Sequence, residues 1–227
     1  MEWPDKEKGM DAAGASSSVG DDDDGVPGSR PNRRQKRRAP RKVTPDYLER
    51  AALYHLERYA SSAANLKRVL MRKAWRSEKY HGTDTAEAEA WIDALVARFC
   101  ASGLLDDGRY AESRAMSLHR RGDSRRAIRQ KLAAKGLSGD DIDKALDQIA
   151  EEAVADPELV AAVRYVTRRR LGAFRRPEDR KERRDRDLAA LARVGFSYAL
   201  AKRVIDSDDP DGLVREEEQE SATGHRP

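Results

Sequence analysis

The feature that most constrains the fold is a recurring pattern of short apolar stripes, which glycines end and serines restart. One copy of the pattern matches another at a constant offset of 59 residues. A glycine just past a helix commonly takes the left-handed conformation that ends it, and a serine caps the next helix. A repeat period of this order indicates a helical repeat array. The matching positions are Leu132, Gly136, Leu137 and Ser138, and Leu191, Gly195, Phe196 and Ser197.

Apolar residues between Pro45 and Ile205 recur at three- and four-residue steps, the spacing of amphipathic helices. Residues that favour strands are scarce, since aromatic residues make up only 6% of the chain. We therefore predict an all-α fold of nine helices in three groups of three. Each helix carries few large apolar residues, so we expect neighbouring groups to share their cores. The predicted helices begin near Pro45, Ser62, Asp84, Asp106, Ser124, Ser138, Asp156, Arg180 and Ser197.

The two ends of the chain differ from the repeats in composition. Near the N-terminus, eight Lys or Arg residues lie within 30–42, and glutamates crowd the C-terminus. Such segments bury too little apolar surface to offset roughly 1–2 kcal/mol per residue of backbone ordering. The predicted division is a disordered arm with a basic run at 1–43, three-helix repeats at 44–105, 106–150 and 151–206, and an acidic disordered tail at 207–227.

Charge is banded along the chain, although the formal net charge is only +4. Residues 118–135 carry a net charge of +6, residues 139–158 of −7 and residues 164–186 of +7. Bands of alternating sign on consecutive helices would steer association with a partner of patterned charge. The alternative is solvated helix faces whose ion pairs contribute only ~0.2–0.5 kcal/mol each. For the bands as a whole we favour a binding function.

The candidate partner-binding residues are basic side chains of the two positive bands and of the second predicted helix. They are Arg68, Arg72, Lys73, Arg120, Arg121, Arg125, Arg126, Arg129, Lys131, Lys135, Arg168, Arg169, Arg170, Arg175 and Arg176.

Arginine-rich helices can also bind nucleic acid directly. The helix predicted at 124–136 and the basic arm could contact phosphates of single-stranded or double-stranded DNA, with an affinity that falls steeply with salt. Base-specific recognition would need a compact helix-turn-helix and usually a dimer. Nothing in the sequence indicates a dimer, so we predict a monomer and rank a direct DNA-binding regulator second.

Sequence signals for catalysis, metals and cofactors are poor. The four histidines are scattered, the single cysteine excludes a Cys-x-x-Cys pair, and there is no P-loop motif. We interpret Asp106 and Asp107 as helix caps rather than as paired catalytic carboxylates, and Cys100 as a small buried hydrophobe. The prediction is a non-enzyme without metal or cofactor.

The same sequence favours a cytoplasmic protein. No stretch approaches the roughly 18 uninterrupted apolar residues of a membrane span. The first 29 residues lack a cationic start followed by an apolar run, so they do not resemble a secretory signal. One cysteine suits a reducing compartment.

Several stretches resemble the RecX family of regulatory proteins. The resemblance covers about residues 45–206 and rests on the order and spacing of short motifs. The arm and the tail lie outside it, and Ala192-Arg193-Val194 is looser than the basic pair usual before the third glycine. The stretches are ASGLLDDGRYA at 101–111, Lys135-Gly136-Leu137 with Ile142 and Ala145-Leu146, Leu191 with Gly195-Phe196-Ser197-Tyr198, and the opening pattern at 53–73.

The resemblance implies tandem three-helix repeats that form a curved, elongated body. It also implies a protein that binds the RecA nucleoprotein filament along its groove and inhibits its recombinase, ATPase and coprotease activities. Recombinational DNA repair and the SOS response would be modulated in this way. No family function extends to the arm or to the tail.

Overall fold

The computed structural model describes residues 39–224, and every regular element in that range is helical. This confirms the prediction of an all-α fold. The nine predicted helices are present, and a tenth follows them. The α-helices are α1 (Pro45–Leu56), α2 (Ala63–His81), α3 (Thr85–Ala101), α4 (Asp107–Arg120), α5 (Arg125–Ala133), α6 (Gly139–Glu152), α7 (Pro157–Arg169), α8 (Pro177–Arg193), α9 (Tyr198–Ile205) and α10 (Pro210–Gly224), with a 3-10 turn at Gly172–Phe174 between α7 and α8.

Side-chain caps begin most of these helices where the sequence predicts them. The residue before the helix accepts a hydrogen bond from a backbone N–H of the first turn, which satisfies a group that the helix itself leaves unpaired. The exception is α8, which begins at Pro177 rather than near Arg180 and has no side-chain cap bond. The capping residues are Thr44, Ser62, Asp84, Asp106, Ser124, Ser138, Asp156 and Ser197.

The buried apolar side chains form three clusters, each drawn from one triplet of helices. We name the triplets by their helices: first (α1–α3), second (α4–α6) and third (α7–α9). The first cluster lies within residues 43–105, the second within 111–149 and the third within 159–205. The expectation that neighbouring groups share their cores is therefore wrong, because each triplet encloses its own core.

Polar contacts between helix ends join one triplet to the next. The Ser62 hydroxyl, which caps α2, donates a hydrogen bond to the carbonyl of Lys135 at the end of α5 (2.7 Å). The Ser124 hydroxyl, which caps α5, donates to the carbonyl of Val194 at the end of α8 (2.5 Å). The starts of α2 and α5 thus abut the ends of α5 and α8, respectively.

A second bond at each joint runs from a middle helix to the first helix of the following triplet. The N–H of Ala63, the first residue of α2, donates to Asp107 Oδ1 at 2.8 Å. The N–H of Arg125, the first residue of α5, donates to Glu158 Oε1. Asp107 is thus a capping residue rather than a catalytic carboxylate, but the helix that it caps is α2 of the first triplet. Its own helix, α4, is capped by Asp106.

The two ends of the series lack these joints for local reasons. The first residue of α8 is Pro177, which has no N–H to be capped by a following triplet. At the other end, a Cβ built on Gly82 after α2 would meet no atom within 4 Å. The chain before α1 lies beside that end, since the N–H of Val43 donates to Ser77 Oγ (2.9 Å).

Residues 39–43 correct part of the predicted arm. Val43 is buried in the first core, and His81 Nε2 lies 2.6 Å from the carbonyl oxygen of Pro40. The arm was expected to be disordered through residue 43, but its last residues pack on α2 because Val43 supplies an apolar anchor. The basic run at 30–38 and the acidic run at 21–24 lie outside the described residues.

The predicted disordered tail is also wrong for residues 210–224, which form α10. Leu213 and Val214 pack against the third core. The Glu217 carboxylate pairs with Arg203 at 2.7 Å and accepts the backbone N–H of Asp156 at 3.0 Å. Composition suggested a solvated acidic segment, whereas two adjacent apolar residues and one glutamate suffice to dock the helix.

The cysteine position in α3 corrects one interpretation from the sequence. Phe99 is buried in the first core, and Trp91 packs partly against it. Cys100 is exposed rather than buried. Successive residues of a helix point in directions about 100° apart, so the neighbour of a core residue need not be a core residue.

We predict that alanine at Gly136 destabilises the protein more than alanine at Gly82. Both glycines have positive φ, +81° and +63°, so each substitution carries a left-handed strain of about 1–2 kcal/mol. Only at Gly136 would the new Cβ collide, 2.4 Å from the Ala64 Cβ across the joint. Overpacking of that kind adds roughly 1–3 kcal/mol. Urea unfolding followed by circular dichroism at 222 nm measures both variants.

Equal losses in the two variants would show that the contact between triplets adds no steric constraint at Gly136. The substitution at Gly82 serves as the matched control, since it changes the same residue type in the same backbone conformation at an open helix end.

Candidate partner-binding surface

The predicted basic residues of α2 extend to the joint with α5. Arg68 and Arg72 are exposed, whereas Lys73 is half-buried with its ammonium 5.8 Å from the centre of the Tyr47 ring. Arg68 Nη1 donates to the carbonyl of Ala134 at 3.0 Å. The structure therefore brings the α2 residues to the end of α5, next to the predicted Lys135.

Two arginines of α5 are paired with the acidic helix beside it. Arg125 Nη2 lies 2.8 Å from Asp147 Oδ1, and Arg129 pairs with Asp143. The spacing of four residues on both helices makes a two-step ladder between antiparallel helices. The Arg129 guanidinium lowers the pKa of Asp143. The positive band of α5 and the negative band of α6 thus neutralise each other in part, rather than presenting separate fields.

Other basic residues around α5 differ in how far they are engaged. Lys131 Nζ pairs with Asp123 at 2.6 Å. Arg126 is exposed and has no acidic partner within 4.0 Å among residues 39–224. Its side chain begins in contact with the third triplet: a Cβ built on Gly195 would lie 2.9 Å from the Arg126 Cβ. Arg126 is therefore an unpaired cation at a joint between triplets.

The predicted residues at the end of α4 lie apart from this ladder. Arg120 and Arg121 are both exposed. Arg120 lines a cavity of about 300 Å³ between the second and third triplets, together with His119, Arg164 and Glu218.

The predicted residues at the end of α7 and just after it lie near the Tyr165 ring and the short turn before α8. The guanidinium carbons of Arg168 and Arg169 lie 5.8 and 6.0 Å from the ring centre. Arg170 ends the helix with a φ of +54°, a conformation uncommon outside glycine. Arg176 is exposed in the cap position of α8.

Arg175 forms an ion pair within the protein. Its Nε and Nη2 atoms donate to the two carboxylate oxygens of Asp187, each at 2.7 Å. Asp187 is only 1% exposed and also accepts the Gly172 N–H at 3.0 Å. The bidentate pair raises the pKa of Arg175 and holds the 3-10 turn against α8. Its role is structural, which sequence position alone did not reveal.

Sequence reasoning missed three arginines that lie near two of its candidates. Arg183, Arg186 and Arg193 of α8 line one concavity of about 540 Å³ with Arg169 and Arg175. Their spacing of three and then seven residues places them on one side of a helix. That periodicity was the available signal, but the predicted set stopped at Arg176.

The joint between the second and third triplets carries two perturbed titratable groups. His119 Nε2 lies 2.9 Å from the carbonyl oxygen of Pro157, and burial lowers the pKa of this half-buried imidazole. Glu158 accepts the Arg125 N–H, and burial raises the pKa of its carboxyl group. Neither residue stood out in the sequence, because only the fold brings them to the joint.

Within residues 39–224, no three His, Cys, Asp or Glu side chains are grouped so as to hold a metal ion. None of the helices in that range combines the length and apolar character that a bilayer crossing requires.

Comparison with known proteins decides the family. The model of the second three-helix domain of RecX matches residues 106–146, which cover α4, α5 and most of α6. A regulatory protein RecX from Myxococcus xanthus is 47% identical over 185 residues, which span 81% of this chain and 96% of that relative. The chain belongs to the RecX family.

Other RecX relatives give the same result at lower identity. The regulatory protein RecX of Agrobacterium fabrum is 31% identical over 159 residues, covering 70% of this chain and 82% of the relative. That of Leptothrix cholodnii is 34% identical over 160 residues, covering 70% and 87%. No solved structure matches the chain. The resemblance that the sequence motifs indicate is thus confirmed.

We predict that His119 makes stability fall as the pH is lowered from about 7.5 to 5.5. The unfolded chain takes up a proton near the ordinary histidine pKa of about 6.5. The folded protein resists that proton because burial lowers the pKa of His119. The stability contributed by the neutral imidazole is therefore present above this range and lost below it. Thermal unfolding at a series of pH values measures the slope.

The variant His119→Gln should flatten this slope, because an amide does not titrate. Part of the slope that remains should come from His55, whose pKa is lowered by its own burial and then by Arg72 and Lys73. An unchanged slope in His119→Gln would contradict the prediction.

Proposed function

We propose that this RecX-family chain binds the RecA nucleoprotein filament and inhibits its recombinase, ATPase and coprotease activities. Recombinational DNA repair and the SOS response are modulated as a result. The observation that carries the proposal is family membership, with 96% of the length of the Myxococcus xanthus relative aligned. The protein acts in the cytoplasm, as a monomer, by binding rather than by catalysis.

The organisation of the chain supports a repeating partner. We propose three repeats at 44–105, 106–150 and 151–206, joined by the same serine-to-carbonyl contact at both junctions. A filament presents the same surface at regular intervals. A series of similar units, coupled end to end, can place equivalent side chains against successive protomers.

Charge pairing narrows the residues that contact the filament. Arg125 and Arg129 are engaged with acids of α6, and Arg175 is engaged with Asp187. The exposed candidates without an acidic partner within 4.0 Å among residues 39–224 are Arg72, Arg120, Arg121, Arg126, Arg168, Arg169, Arg170 and Arg176, with Arg68 and Lys135 beside the first joint. Arg126 is the most informative of these, because it sits at a joint without an acidic partner in the described range.

We expect Arg126→Glu to weaken inhibition of RecA. Arginine is enriched among the interface residues whose loss costs more than about 1 kcal/mol, so we expect roughly five- to tenfold more protein to be needed for half-inhibition. The assay follows ATP hydrolysis by RecA on single-stranded DNA as the purified chain is added. DNA is kept in excess, so that sequestration of DNA by the chain does not imitate inhibition.

The matched control is Lys144→Glu, which reverses one exposed charge on α6 of the same triplet. If both variants inhibit as the unmodified chain does, Arg126 is not a contact. If the unmodified chain has no effect on RecA at stoichiometric amounts, the proposed function itself is wrong.

A further inference from the structure

We propose that the concavity lined by Arg169, Arg175, Arg183, Arg186 and Arg193 is a binding site for phosphate groups, taken from the backbone of a nucleic acid. We call it the arginine pocket. Its volume is about 540 Å³, and its acidic lining residues are Asp179 and Asp187. The proposal does not depend on the filament contact above, since it concerns a different ligand and is tested without RecA.

One of the two acids in the arginine pocket, Asp187, is already bound by other groups of the protein. The Asp187 carboxylate is held on one side by the Gly172 N–H and on the other by the two bonds from Arg175. Arg175 and Asp187 thereby cancel in charge and form a fixed wall. Four arginines then remain in the pocket against Asp179 alone.

On the other side of α8, away from the pocket, the arginines bind acceptors within the protein. Arg184 makes a two-point contact with Asp206, with nitrogen–oxygen distances of 2.6 and 2.8 Å. Arg180 Nη2 donates to the carbonyl of Ala173 at 2.6 Å. Both side chains therefore find strong acceptors within the third triplet.

The arginines of the pocket find much weaker acceptors. The closest acid to Arg183 is Glu182 on the same helix, at 3.8 Å. Arg193 donates only to the carbonyl of Ala189, at 3.0 Å, and Arg186 has no acidic partner within 4.0 Å among residues 39–224. One side of a single helix is matched in charge, while the side facing the concavity is not.

Converging guanidinium groups select for phosphate. Arginine presents N–H donors in a planar fork that matches phosphate oxygens, and it stays charged at any physiological pH. The volume of about 540 Å³ leaves room for at least one phosphate group. The Tyr165 ring is only 7% exposed and lies beneath Arg168 and Arg169, so it offers no stacking surface for a base. Binding should be independent of sequence.

The test compares Arg186→Gln/Arg193→Gln with the control Lys181→Gln/Lys202→Gln. Each double removes two positive charges, from α8 in the pocket variant and from α8 and α9 in the control, whose residues lie outside the pocket. The probe is a fluorescein-labelled oligothymidylate, whose anisotropy is measured with the full chain alone over a salt series. A second arm titrates inorganic pyrophosphate by calorimetry, which separates a backbone from a free diphosphate. Circular dichroism checks that each variant is folded.

We expect the pocket variant to bind the oligonucleotide on the order of tenfold more weakly than the control does. Its slope of log affinity against log salt should be shallower by about 1.4, because each lost phosphate contact on a single strand removes about 0.7. Loss confined to pyrophosphate would keep the phosphate site but assign it to a small ligand. If the pocket variant and the control bind both probes equally, the proposal is overturned, whatever the outcome with RecA.

Discussion

At each joint between triplets, one serine hydroxyl both caps a helix and donates a hydrogen bond to the following triplet, and the arrangement of the triplets depends on this contact. Ser62 and Ser124 each accept an N–H from the first turn of a middle helix, and each donates to a carbonyl at the end of the next middle helix. Every triplet encloses its own core. The coupling between triplets therefore rests on these bonds and on the carboxylates of Asp107 and Glu158, each of which accepts an N–H from the preceding triplet. A buried hydrogen bond has strict distance limits, so the joints set where each triplet sits relative to its neighbour.

The local signals of the fold could be read from the sequence, whereas the joints could not. Ser124 and Gly136 were placed correctly because capping and helix termination depend on residues three or four positions away. The same Ser124 reaches Val194 across 70 residues, a contact that no local pattern encodes. The burial of Asp187 was missed for a similar reason, since an aspartate inside a charge-rich segment resembles a solvated one until the fold brings Arg175 to it.

The candidate partner-binding surface was likewise predictable from the sequence only in its local features, and not in its contacts between helices. Sequence identified bands of charge, and most of the basic residues named in them are exposed. It could not tell a paired cation from an unpaired one, because pairing depends on how helices align. Arg125 and Arg129 meet Asp147 and Asp143 only because α5 and α6 run antiparallel in one register. Arg126 differs from Arg125 by one position yet points to the third triplet, where no acid meets it in the described range.

The ends of the series show how the chain limits its own repetition. A fourth triplet would need an N–H at the start of α8 to receive a carboxylate, and Pro177 removes that donor. The position of α10 fits this account, since Glu217 takes the N–H of Asp156 at the start of α7 while its neighbours cover the third core. In the third triplet, Arg184 of α8 is paired with Asp206, whereas Arg186 and Arg193 on the other side of that helix have no acidic partner within 4.0 Å among residues 39–224. Their charge must then be answered either by solvent or by a ligand from outside the chain.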